Sequence, residues 1–254
     1  MIVTIGIFDG LHLGHQFLLR KAQALAQHKG TSTLMLTFSY PVEFFSSSTN
    51  FEGLITTTQI KKEQALALGI DRVEFLDFLS IRTLSPVIFL NQITDQYPVR
   101  GFVVGHDFRF GKNRKGKYSF LKRYAQKKGI VAYQVSPLFK SGHLVSSTLI
   151  RRWIIQGEIQ KANRFLFRPL QYEAFPTKKS NTSNTYELSW DRKERIAFPP
   201  TGIYSISTPI NGWGIWKHEA KKSRFDDEIV FFGSSVVLSQ NPISFCVHKE
   251  LTHR

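Results

Sequence analysis

Apolar positions along the first two thirds of the chain alternate between short continuous runs and helical spacing. Residues 2–7 form an apolar run that predicts a strand. In residues 14–28, Phe17, Leu18, Ala22, Leu25 and Ala26 recur three and four apart, which predicts a helix. The alternation continues with strands over 33–38, 73–78, 101–105 and 131–135. Helices are predicted over 59–68, 85–97, 120–128, 147–156 and 158–165. Thr56 or Thr58 can cap the first of these, Gly69 is placed to end it, and Pro86 suits the first turn of the next. Strands alternating with helices imply right-handed βαβ units and a parallel sheet. The pattern changes near Arg168-Pro169. From Tyr186 onward the segments are short and broken by Gly, Pro and Asn, with strands over 202–208, 213–218, 228–238 and 243–247. That spacing predicts a small antiparallel barrel or sandwich. Residues 178–185 (KKSNTSNT) read as a polar loop. The change of pattern places two domains at 1–167 and 168–254, with no internal repeat or heptad pattern.

Composition narrows the classes. A chain of 254 residues, 42% hydrophobic, carries enough apolar material for two cores. It has no apolar run of about 18 residues, so no membrane-spanning helix is predicted. Residues 1–6 carry no basic, apolar and small-residue leader, and Cys246 is the single cysteine. A disulfide framework and a Cys-based zinc site are thereby excluded, and a reducing cytoplasm is the expected compartment. The net charge of +15 favours anionic partners or solubility alone. It is uneven: residues 1–167 hold 22 bases and 10 acids, residues 168–254 hold 12 and 9. Eight of the bases lie between Lys112 and Lys128 with no acid among them. Few aromatics interleave there, and the helical spacing favours a solvated, phosphate-attracting face over nucleic-acid binding.

The densest chemistry lies at the first predicted strand-to-helix turn, Gly6-Ile7-Phe8-Asp9-Gly10-Leu11-His12-Leu13-Gly14-His15. In open parallel sheets the first such turn often holds a phosphate, because helix N-termini offer free N–H groups and partial positive charge. His12 and His15 would project to one side, with Gly14 letting an anion approach the backbone. Two histidines in a turn are also compatible with plain surface residues, and zinc binding would need further ligands whose spacing is absent. A second anion site is predicted at Ser146-Ser147-Thr148, where hydroxyls and N–H groups meet a helix start, with Arg151 one turn on. Taken alone that is an ordinary cap with a solvated arginine. The run Asp107-Phe108-Arg109-Phe110 after the strand at 101–105 suggests a nucleotide- or flavin-contacting loop, or a turn whose phenylalanines complete the core.

Four ordered blocks resemble the prokaryotic FAD synthetase family, within the His-x-Gly-His nucleotidyltransferases. They are the turn just described, with Asp9-Gly10 at its centre; Thr37-Phe38 with Pro41 and Glu43-Phe44-Phe45; Gly105 to Gly111; and Ser146-Ser147-Thr148-Leu149-Ile150-Arg151. The resemblance implies an α/β, Rossmann-like nucleotidyltransferase domain followed by a shortened antiparallel β-barrel-like domain. It implies transfer of AMP from ATP to FMN, giving FAD and pyrophosphate, with Mg²⁺ on the phosphates and no assignable protein ligand. His12, His15 and Arg151 would be catalytic. Gly6, Phe8, Asp9, Gly14, Ser146, Ser147 and Thr148 would bind ATP phosphates, and Asp107, Phe108 and Arg109 flavin or nucleotide. The family's Pro-His-Pro-like stretch is here Ser39-Tyr40-Pro41, shorter and without the histidine.

The same resemblance would make residues 168–254 a riboflavin kinase barrel. Its Gly-Phe-Pro-Thr-Ala-Asn motif is represented only by Ala174-Phe175-Pro176-Thr177-Lys178-Lys179, without the glycine and asparagine. Residues 248–254 leave no room for a closing helix. A degenerate domain without kinase activity is expected, one that steadies the first domain or mediates self-association. A bifunctional kinase and adenylyltransferase, and a non-enzymatic flavin- or nucleic-acid-binding module, are the alternatives.

Overall fold

In a computed structural model, residues 1–45, 51–179, 185–190, 194–208, 212–218, 227–231 and 242–251 are described. The chain divides into two compact units, Met1–Phe51 with Thr58–Val145, and Glu52–Thr57 with Ser146–Arg254.

The first unit runs β1 (Ile2–Ile5), α1 (Leu13–His28), β2 (Thr33–Thr37), α2 (Thr58–Ala67), β3 (Arg72–Phe75), α3 (Phe78–Ile81), α4 (Pro86–Gln96) and β4 (Gly101–Gly105). A two-residue hairpin, β5 (Arg109–Phe110) and β6 (Gly116–Lys117), leads into α5 (Tyr118–Lys127) and β7 (Val131–Val135). A second hairpin, β8 (Phe139–Lys140) and β9 (His143–Leu144), closes the unit. The main sheet is fully parallel in the order β3-β2-β1-β4-β7. Both of its faces are covered, which is why β1 and β2 read as continuous apolar runs. Ile2, Met35 and Val103 pack with Leu18, Leu19 and Ala22 of α1 on one face. Val3, Ile5, Leu36, Phe102 and Val104 pack with Phe89 and Leu90 of α4 and Leu121 of α5 on the other.

The predicted elements of this unit are present with small shifts. Phe17, expected on the buried face of α1, is exposed, and Leu19 is buried instead. The strand predicted over 73–78 stops at Phe75, because Asp77 caps the short α3 by accepting from the Leu79 N–H at 3.0 Å. Ser85 caps α4 through its hydroxyl, with Pro86 in the first turn as expected.

The second unit opens with α6 (Ser147–Ile155) and α7 (Ile159–Asn163). Its strands are β10 (Leu170–Lys179), β11 (Thr185–Ser189), β12 (Gly202–Thr208), β13 (Gly212–His218), β14 (Asp227–Phe231) and β15 (Ile243–Glu250). They close an antiparallel barrel in the order β10-β11-β14-β13-β12-β15. A closed barrel leaves no free strand edge. β10 was not expected. Leu170, Tyr172 and Ala174 alternate inward, but Pro176 masks the pattern, and the pairing with β11 shifts register beside it. The loop expected over 178–185 narrows accordingly: Lys178 and Lys179 end β10, Thr185 starts β11, and 180–184 lie outside the described residues. Residues 232–238 of the strand predicted over 228–238 also lie outside them.

The barrel interior is aromatic, with Tyr172, Tyr204, Trp216 and Phe245 fully buried around one another. Within it, His218 Nδ1 lies 2.9 Å from Asp227 Oδ1, and Trp190 Nε1 donates to Asp227 Oδ2 at 2.7 Å. Removing one partner of a buried, hydrogen-bonded pair strands the other. Asp227→Ala is expected to destabilise the barrel by about 3 kcal/mol, measured by urea unfolding followed through tryptophan fluorescence.

Candidate active site at the end of the parallel sheet

β1 has β2 on one side and β4 on the other, and the chain leaves it at the point where strand order reverses. Ligands of open α/β sheets bind at this switch point, outside the carboxyl ends of the strands. The turn there is tightly specified. Phe8, Gly10 and Leu11 have φ of 52°, 75° and 37°. A Cβ on Gly6 would meet the Phe8 ring at 3.1 Å. Phe8 and Leu11 are buried in the core and fix the turn despite its left-handed backbone. Thr37 at the end of β2 ties in the same loop, donating its hydroxyl to the Ile7 carbonyl at 2.9 Å.

His12 is the cap of α1. Its Nδ1 accepts the His15 backbone N–H at 3.3 Å, which puts the proton of the neutral ring on Nε2. The two imidazoles stack with centroids 3.6 Å apart and planes 15° from parallel. Phe8 meets the His15 ring edge-on at 5.1 Å. A Cβ on Gly14 would sit 3.2 Å from the His12 ring, so glycine makes room for the pair. His15 Nδ1 is buried without a hydrogen-bond partner. Asp9 is buried in the turn itself.

Burial pushes the His12 imidazole down to about 4 from its ordinary 6.5. Burial, then His12, then the ammonium of Lys61 hold His15 well below the ordinary histidine range. Both rings are therefore neutral near pH 7, each with one N–H to donate and one nitrogen to accept. Lys61 is a site residue that sequence reasoning missed. It is fully buried on α2, and its Nζ donates to the Phe38 carbonyl at 2.7 Å. The readable signal was its place among Ile60, Gln64 and Ala65, the inward face of that helix.

Other predicted residues fall around this centre. Beyond β4, Asp107 and Arg109 are exposed, whereas Phe108 and Phe110 are buried and stacked at 5.1 Å within the core. Beyond β2, Tyr40 stacks on Phe44 at 4.1 Å and Phe45 on Phe78 at 5.1 Å. Phe44 and Phe45 remain more than a third exposed. The sequence marked these residues only through their family block.

In the second unit, Ser146 caps α6 by accepting the Leu149 N–H at 3.3 Å. Ser147 is half-buried and Thr148 exposed at the first turn. Arg151 Nε donates to the Gly53 carbonyl at 2.6 Å. Gly53 has a φ of 109°, and a Cβ there would lie 2.5 Å from backbone atoms of Ile196 and Ala197, so only glycine fits. Among the described residues, no group of three His, Cys, Asp or Glu side chains could hold a metal ion, and no helix is long and apolar enough to cross a membrane.

Comparison with known proteins gives a consistent pattern. The FAD synthetase family model matches residues 1–149. The bifunctional riboflavin kinase/FMN adenylyltransferase of Listeria monocytogenes is 30% identical over 216 residues, covering 83% of this chain and 68% of that protein. The protein of the same name from Bacillus subtilis is 27% identical, with coverages of 83% and 68%. FAD synthetase 1, chloroplastic, of Arabidopsis thaliana is 25% identical, covering 83% of this chain and 64% of that one. A solved structure from Streptococcus pneumoniae, described as a macrolide-efflux protein, superposes with a TM-score of 0.84 at 20% identity. It covers 98% of this chain and 86% of its own, and shows the shared fold.

The buried imidazoles carry a stability signature. In the unfolded chain His12 titrates near its ordinary 6.5, in the native turn near 4. Between those values the unfolded chain binds the additional proton, so stability falls as pH drops from about 6.5 toward 4. His12→Ala is expected to flatten this acid-side slope, read from urea unfolding at several pH values across that window.

Proposed function

Because this chain belongs to the FAD synthetase family, we propose that it transfers AMP from ATP to FMN, releasing pyrophosphate and FAD. A phosphate oxygen of FMN attacks the α-phosphorus of ATP. The bond from that phosphorus to the bridging oxygen breaks, and pyrophosphate leaves with the electron pair. The protein's work is placement and charge stabilisation, since such transfers need little covalent chemistry from the enzyme. The observation that supports the reading best is the stacked, neutral pair His12 and His15 at the cap of α1, on the switch point of a parallel sheet. Their N–H groups can donate to the α- and β-phosphates as charge builds in the transition state, aided by the helix N-terminus. An approaching polyphosphate also raises the imidazoles' readiness to take up protons. Gly6, Phe8, Asp9 and Gly14 shape this turn.

Ser146, Ser147, Thr148 and Arg151 are assigned the β- and γ-phosphates by the sequence motif alone. Asp107 and Arg109, exposed beyond β4, are assigned to nucleotide or flavin, with Phe108 bracing their loop from the core. The half-exposed rings of Phe44 and Phe45 offer flat apolar surface for a flavin. Mg²⁺ would enter on the substrate phosphates with water completing its shell, in keeping with its preference for phosphate oxygens. The reaction draws on cytoplasmic nucleotides, and the proposed partners are these small molecules.

The barrel is proposed to be riboflavin-kinase-like but without kinase activity, as Ala174 and Lys179 stand where the motif has glycine and asparagine. A bifunctional enzyme is the second reading. The similarity to proteins named as bifunctional extends over 83% of the chain, beyond the family match to residues 1–149, and favours it. Incubation with riboflavin and γ-labelled ATP separates the two: no labelled FMN is expected, and robust labelling would establish the second reading.

Incubation with FMN, Mg²⁺ and ATP labelled at the α-phosphate is expected to place label in FAD; binding without turnover would overturn the proposal. His15→Ala is expected to lower turnover roughly 10²-fold or more, as loss of one charge-stabilising donor does.

A further inference from the structure

The inward face of α2 carries one group that the reaction scheme above does not use. Ile60, Lys61, Gln64 and Ala65 are buried there, and three of them are what such a face ordinarily holds. Lys61 is different: none of its surface reaches solvent. Lysine is almost never fully buried unless partnered, because an ammonium loses its hydration on burial. Its surroundings place it beside the phosphate turn. Nζ donates to the carbonyl of Phe38, the first residue after β2, and lies 5.8 Å from the centre of the Phe75 ring at the end of β3. Thr37, adjacent in sequence, holds the Ile7 carbonyl of the turn. α2 itself packs against residues 9–11 of that turn. The ammonium therefore stands at the carboxyl ends of the strands, on the side where the imidazoles lie.

We infer that Lys61 is a positioning residue of the phosphate site, an interior cation that keeps the His12–His15 turn electropositive for a polyphosphate while the turn itself presents neutral donors. The inference rests on the adenylyl-transfer reading for its ligand, and on geometry for its location. A cation in a poorly screened interior acts over several ångströms, where an exposed lysine would be masked by water and salt. Two groups act electrostatically on the His15 ring, His12 from the cap of α1 and Lys61 from α2, and both disfavour its protonation. With a triphosphate bound, the same ammonium attracts the phosphate charge without needing to touch it. The Phe38 carbonyl fixes the ammonium in place, so little reorganisation accompanies binding.

Lys61→Gln keeps a donor for the Phe38 carbonyl and removes the charge; Lys61→Arg keeps the charge. Three readouts on the full chain test the inference. The first is the His15 ring titration by NMR in ligand-free protein, the second ATP affinity by calorimetry, the third the split between KM for ATP and kcat. In Lys61→Gln, His15 is expected to titrate at higher pH than in the native protein. ATP binding should weaken about tenfold or more, the effect of one nearby charge, with the loss in KM larger than in kcat. Lys61→Arg is expected to retain native values in all three. A folded Lys61→Gln with unchanged His15 titration and ATP affinity within about twofold of native would overturn the inference. If Lys61→Gln does not fold, Lys61→Arg decides: native His15 titration and ATP affinity uphold it, and loss of either overturns it. Failure of the adenylyl-transfer reading looks different, namely no FAD formed while the His15 titration and ATP affinity still respond to charge at position 61.

Discussion

Two imidazoles 3.6 Å apart and largely removed from water cannot both carry charge, and burial holds the pKa of each below its ordinary range. The turn around them is built to hold the two rings together. Stacking brings their faces together, Gly14 leaves out a Cβ that would crowd the His12 ring, and the His15 N–H occupies His12 Nδ1. The consequence is chemical. A charged histidine pair would hold the ground-state phosphates more tightly as well. Neutral N–H donors hold the ground state less tightly and still gain as negative charge grows beside them, and only that added gain accelerates the transfer.

That arrangement is held at a backbone cost. Phe8 and Leu11 sit at positive φ, a region that costs a residue with a side chain of order 1 kcal/mol or more. Both are buried hydrophobes on the face of the sheet that also takes α1. Burial of such a side chain contributes roughly 1.5–3 kcal/mol, enough to offset the strain. The core thus fixes the turn, and the turn fixes the site. This explains why a large aromatic side chain stands where glycine would be the easier residue.

How far this was legible in the sequence depends on the range of the interaction. β1, α1 and the turn between them were readable because strand burial and helical period are properties of ten to twenty adjacent residues, whereas the cap at His12 emerges only in the structure. The pairing of Arg151 with the Gly53 carbonyl was not, since it joins positions 98 apart and gives the arginine a partner where the sequence suggested a solvated or anion-seeking side chain. Lys61 was half legible: its place on the α2 face could be counted, but a lysine there reads as a stray from the polar side until its neighbours are known. Phe108 shows the opposite limit. Its block was compatible with a ligand contact or with a core turn, and its ring is buried among Phe110 and the residues of α4 and α5. The barrel was legible as a class and not as a closed order of six, because closure depends on β10, whose inward alternation Pro176 obscures.

The charge distribution of the first unit then acquires a division of labour. All eight bases between Lys112 and Lys128 are exposed, on the loop before α5 and along its outer face. Exposed charges are screened beyond about 8–10 Å at ordinary ionic strength, so they contribute mainly to capture of anions from solution and little to a fixed contact. The buried turn has the reverse properties, with little reach and a strong field within the site. An enzyme whose proposed substrates, ATP and FMN, are both anionic gains from keeping these roles apart. Bases on α5 can raise the rate of encounter without tightening the ground state. The two histidines proposed to act on the reacting phosphates can remain neutral and fixed, with the buried ammonium of Lys61 held in place beside them. On this reasoning the surplus of positive charge in residues 1–167 and the absence of charge on the two histidines are complementary parts of one electrostatic design.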